Sequence, residues 1–116
     1  MHLRPSGGFE LWTWVFMRVS GVLLLFLAVG HFLLMHVINP VETISYAFVA
    51  KRFSFFFWRA YDLLMLWLAM LHGINGVRIL VDDYVHSPRW HRLWYAGLGI
   101  VGGSFLILGT WVIAGF

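Results

Sequence analysis

Three stretches of the chain are apolar for about 20 residues each, the length that carries an α-helix across the hydrocarbon core of a bilayer. Asn39-Pro40 and Ser87-Pro88 interrupt them, and both pairs disfavour continued helix. The pattern predicts transmembrane helices over about 11–38, 54–81 and 92–114 in one all-α membrane domain, 1–116. Charged side chains make up 11% of the chain, against about 25% in a soluble domain. Mean hydropathy is +0.83. Three spans use up the chain and leave no room for a soluble catalytic domain. The first run is long and lacks a small-residue cleavage site, so it reads as a mature helix and not a signal peptide.

Cysteine is absent, which excludes disulfides, thiolate metal sites and protein-borne iron–sulfur clusters from this chain. The net charge of +3 is spread over basic residues at the membrane ends, which suits lipid head groups and not nucleic acid. On three spans, Arg4, Arg18, Arg78, Arg89 and Arg92 share the side of the N-terminus, and Lys51, Arg52 and Arg59 share the other. The positive-inside rule puts the first side in the cytoplasm.

Residues Met1–Gly8 read as a short tail. Phe9, Trp12 and Trp14, then Phe55-Phe56-Phe57-Trp58, then Trp90, Trp94 and Tyr95 form aromatic belts at membrane–water boundaries. Between the first two spans, Val41–Phe53 is a loop amphipathic enough to hold a short surface helix. Ser54 is the expected N-cap of the second span. Arg59 and Asp62 are placed to pair, as are Arg78 and Asp82. Val81–Trp90 forms the second loop. The third span carries Gly99 and Gly103 at GxxxG spacing, which predicts close helix packing there and assigns that helix to packing rather than chemistry.

The chemistry is expected on the second span. His72 lies twelve residues before Tyr84, about 18 Å along a helix, near mid-membrane. An imidazole in lipid is costly and marks a functional site by default. One reading bonds it to a neighbouring helix. The sharper reading makes it an axial ligand to haem iron, with Gly73 and Gly76 admitting a flat group. Tyr84 and Asp83 at the mouth of that helix are interfacial residues, or else a phenol donor to a quinone carbonyl with a carboxylate that relays protons. Arg18 either snorkels to the head groups or holds haem propionates or a quinone oxygen. Ser20 is expected to make a local backbone bond. Counted from Arg18, His31 sits about 20 Å deep, level with His72, and would ligate a second haem or bond to the second span. His36 is expected to face interfacial water. No nucleophilic triad, phosphate loop or carboxylate pair is present, so the chain is not expected to be an enzyme alone.

Two runs resemble a known family over nearly the whole length. Phe16-Met17-Arg18-Val19-Ser20-Gly21-Val22 resembles helix one of complex II anchors. Trp67-Leu68-Ala69-Met70-Leu71-His72-Gly73-Ile74-Asn75-Gly76-Val77-Arg78, through Asp82-Asp83-Tyr84, resembles the D-type membrane anchor of succinate dehydrogenase. The resemblance implies half of a heterodimeric anchor bundle in the inner (cytoplasmic) membrane. A C-type anchor, an iron–sulfur subunit and a flavoprotein subunit would be its partners. It implies haem b ligated by His72 and a histidine of the partner, with Arg18 near the propionates. It implies a quinone, ubiquinone or menaquinone, bound by Tyr84 with Asp83 and Ser20 close by. An Arg-Val-Ser-Gly run is more typical of the C-type partner. Relatives with two haems leave a place for His31. Trimers of complexes stay open. Two other readings stand beside this one: a purely structural anchor without cofactor, and a small proton or metal carrier using His31, His36 and His72.

Overall fold

The computed structural model describes residues 8–116. Helix α1 (Gly8–Phe32) continues as a π-helical segment, Leu33–Ile38. A single 3-10 turn (Val41–Thr43) leads to the short helix α2 (Tyr46–Phe53). The long helices α3 (Phe56–Tyr84) and α4 (Pro88–Ala114) complete the fold, and no strand occurs among the described residues. The expected tail falls outside the described residues except for Gly8, which opens α1 at a φ of 69°, where only glycine is unstrained.

Three helical stretches are long and apolar enough to cross a membrane: Gly8–Ile38, Phe56–Tyr84 and Pro88–Ala114. The molecule is a rod 49 Å long and 26 by 23 Å across, against about 40–45 Å for a bilayer with its head groups. Its surface is inverted relative to a soluble domain. Phe26, Ile100, Ile107 and Trp111 lie exposed, whereas Ser20 and Asp62 are buried. Lipid removes the incentive to hide apolar side chains, and polar ones turn inward to find partners.

α3 is the central rod, with α1 on one side and α4 on the other. Its ends differ from expectation for local reasons. Pro88 has no N–H to offer and sits at the first helical positions of α4, so the expected break is instead a helix start. α4 therefore begins four residues before 92, α3 runs to Tyr84, and the second loop shrinks to 85–87. Ser54 is not the N-cap of α3. It ends α2, its hydroxyl donating to the Lys51 carbonyl, and the extended Phe55 starts α3. The surface helix expected within 41–53 is α2, capped by Ser45, whose Oγ accepts the Phe48 N–H at 3.2 Å. At the other helix end, the Asn39 side-chain amide donates to the Leu34 carbonyl at 2.7 Å just before Pro40.

The Arg59–Asp62 pair does not form. Arg59 donates to the carbonyls of Ala114 and Phe116, at 3.2 and 2.7 Å. Asp62 takes both forks of Arg52, which α2 brings over it. The glycine packing is also shifted. A Cβ at Gly102 would strike the Ile74 side chain, and one at Gly109 would come within 2.8 Å of Leu66. Gly99 and Gly103 face open space. Gly102 and Gly109 are two turns apart and share the face that meets α3, which the GxxxG pair does not.

Candidate functional site

The residues that could carry chemistry lie along the seam between α1 and α3. The two helices run antiparallel, so a residue early in α1 meets one late in α3. Ser20 meets His72 in this way: Ser20 Oγ and His72 Nδ1 are 2.7 Å apart. Ser20 is 1% exposed, the most completely enclosed side chain among the described residues. Its Oγ also lies 3.4 Å from the Met17 carbonyl one turn back. Gly21 lies flush against the ring, its missing Cβ 3.6 Å from His72 Cε1, and Gly76 receives the Met17 methyl at 3.5 Å. The half-buried imidazole is thus held through Nδ1, and Nε2 has no hydrogen-bond partner among the described residues.

This arrangement fits an axial ligand. A metal-bound histidine characteristically anchors its second ring nitrogen on a polar group, which fixes the ring and leaves the other nitrogen for the metal. The local bond expected for Ser20 is present but long, and the contact to His72 is the shorter one. Ser20, placed by resemblance among the quinone contacts, is turned inward to the histidine.

His31 is not level with His72. The same antiparallel register sets it beside Asp62, with Nδ1 3.7 Å from Oδ1. Asp62 precedes His72 by ten residues, about 15 Å of helix. Depth counted from Arg18 misled because Arg18 does not mark the membrane surface: it lies two residues from Ser20, which, and not His31, aligns with His72. His31 Nδ1 is buried without a hydrogen-bond partner, and Asp62 is committed to Arg52. Nearby, the Tyr61 hydroxyl donates to the Leu27 carbonyl at 2.5 Å and lies 2.7 Å from where a Cβ of Gly30 would be. His36 is exposed and packs on Phe32 at 5.3 Å. Among the described residues, no three histidines, cysteines or acids are grouped to hold a metal ion.

At the opposite end, Arg78 gathers the chain. Its guanidinium donates to Asn75 Oδ1 at 2.9 Å, Asp82 Oδ2 at 3.0 Å and Glu10 Oε1 at 3.1 Å. Asp82 Oδ1 in turn meets His91 Nε2 at 2.7 Å and accepts from the Tyr95 hydroxyl at 2.5 Å. The Arg78–Asp82 pair was expected. The roles of Glu10, His91 and Tyr95 were not, because they come from other helices. The 3-3-4 spacing of His72, Asn75, Arg78 and Asp82 along one face of α3 was the signal available.

Arg18 is exposed, lying 3.7 Å over the Trp14 ring and donating to the Trp14 carbonyl at 3.4 Å. Tyr84 is 76% exposed, and Asp83 beside it is also exposed. The structure therefore brings Ser20 and His72 together, and keeps Arg18, His31 and the Asp83-Tyr84 end apart from that contact. Between α3 and α4 an open apolar cleft of about 660 Å3 is lined by Met70, Gly73, Trp94, Gly97 and Val101 among others.

The chain is 30% identical over 103 residues to the succinate dehydrogenase 2 membrane subunit SdhC of Mycobacterium tuberculosis (strain ATCC 25618 / H37Rv), covering 84% of this chain and 70% of that protein. Residues 2–111 match the model of the succinate dehydrogenase/fumarate reductase transmembrane subunit family. With three spans, a polar seam at their centre and a match over nearly its whole length, the chain belongs to that family of multi-pass membrane anchors.

Proposed function

We propose that this anchor binds haem b through His72 and helps to form the site where membrane quinone takes up the electrons of succinate oxidation. The observation that carries the reading is the Ser20–His72 contact: an imidazole inside the spanning region, fixed by one nitrogen, with the other unengaged. His72 Nε2 would hold the haem iron together with a histidine of a second anchor chain. When bound, the haem would supply a one-electron store. The protein's own part is to hold the ring, exclude water from it and present donors at the membrane surface.

Tyr84 and Asp83 are the residues offered for the quinone. Their exposure at the end of α3 suits a site completed by partner subunits, with the phenol donating to a quinone carbonyl and the carboxylate passing protons from water. Arg18, on the same side, has donors to spare for haem propionates or a quinone oxygen. This side would face the cytoplasm in the inner membrane, beneath an iron–sulfur and a flavoprotein subunit. The Asp83-Tyr84 end resembles that of a D-type anchor, whereas the Arg18-Val19-Ser20-Gly21 run and the C designation of the mycobacterial relative point to the other half of the pair. Identifying the copurifying anchor assigns the position.

The quinone role is tested with Tyr84→Phe in the complete complex. Quinone reduction should fall about tenfold, a loss of about 1.4 kcal/mol in the transition state, while dye reduction by the soluble subunits persists. Equal loss of both rates would contradict it.

A further inference from the structure

We propose that Ser20 is the positioning residue that makes His72 a ligand, by accepting a hydrogen bond from Nδ1–H and so fixing the tautomer. The inference rests on the haem reading above and extends it to a residue on another helix. Three groups meet here: the imidazole Nδ1, the Ser20 hydroxyl at 2.7 Å, and the Met17 carbonyl at 3.4 Å from that hydroxyl. A carbonyl can only accept. The hydroxyl has one proton, and a single direction satisfies all three: Nδ1–H donates to Oγ, and Oγ–H donates to Met17 O. Neutral imidazole carries one ring proton, so Nε2 is left with its lone pair. The reverse direction would place the proton on Nε2 and bar that nitrogen from iron.

The surroundings hold the relay in place. Ser20 is 1% exposed, so water does not compete for Nδ1. Gly21 lets the ring lie flush against α1. Met17 O and Oγ belong to the same turn of α1, so the acceptor is rigid. A hydrogen bond from Nδ1–H to a fixed acceptor raises the basicity of the ligating nitrogen and favours ferric over ferrous iron.

The test uses the purified complete complex with Ser20→Ala and Ser20→Thr, read by redox titration of the haem and by the low-spin ferric electron paramagnetic resonance signal. Ser20→Ala should weaken haem retention about 10- to 100-fold. It should raise the haem midpoint by about 59 mV for each tenfold loss of ferric preference. It should also broaden the ferric signal as the ring loses its fixed orientation. Ser20→Thr, which keeps the hydroxyl, should restore the wild-type potential. An alanine variant with wild-type potential and signal overturns the proposal, as does a threonine variant that shifts as alanine does. A wild-type complex without haem would sink the parent reading instead, so the two failures are told apart.

Discussion

The two seams along α3 are held by different physics. Toward α1 the contacts are polar: Ser20 on His72, the Tyr61 hydroxyl on the Leu27 carbonyl, His31 beside Asp62, and Arg78 on Glu10. Toward α4 the middle of the seam is steric, with Ile74 against Gly102 and Leu66 against Gly109. In the same middle stretch Trp67 Nε1 donates to Thr110 Oγ1 at 3.0 Å, and the seam's ends are polar, with Asp82 meeting His91 and Tyr95 and Arg59 meeting the Ala114 carbonyl. Polar groups in lipid are costly unless paired, so a seam built from them fixes depth and register and places side chains for chemistry. A glycine seam brings helices close and leaves the middle of the register mainly to shape, and here it opens into a cleft.

That contrast can be broken at either seam. The largest effect should come from Asp62→Ala, which strands Arg52, itself 9% exposed at the side chain. Removing one partner of a buried pair costs about 3–5 kcal/mol. Thermal unfolding of the detergent-solubilised complex should show the loss, and an unchanged midpoint would mean that α2 is not held by this pair. On the steric seam, Gly102→Leu should cost about 1–3 kcal/mol by overpacking against Ile74. Gly99→Leu and Gly103→Leu in the same assay should be close to neutral unless a partner chain covers that face. The smallest effect should be Thr110→Val, which removes the bond to Trp67 and should cost about 0.6 kcal/mol. A loss as large as that of Gly102→Leu would show that the α4 seam depends on hydrogen bonding after all.

Much of this plan is legible in the residues. Span count, the Asn39-Pro40 stop, the surface helix before α3 and the Arg78–Asp82 pair follow from local pattern, because each depends on neighbours in sequence. What is not legible depends on helix register. Arg52 reaching Asp62, Arg59 reaching the Phe116 carbonyl and His31 settling beside Asp62 are set by how far α1, α2 and α4 slide along α3. Ser20 shows the limit most clearly: its serine-to-backbone preference is a local property and is met weakly, whereas its stronger bond is to a residue 52 positions away. The glycines show it too, since spacing alone singles out Gly99 and Gly103, and only the face presented to α3 selects Gly102 and Gly109.

The most direct measurement is the reduced-minus-oxidised spectrum of the purified complex, compared between wild type and His72→Ala. A b-type band in the wild type that disappears in the variant, with the subunits still assembled, is the predicted result. A band that survives the substitution, or an assembled wild-type complex with none, would contradict the placement of haem on His72.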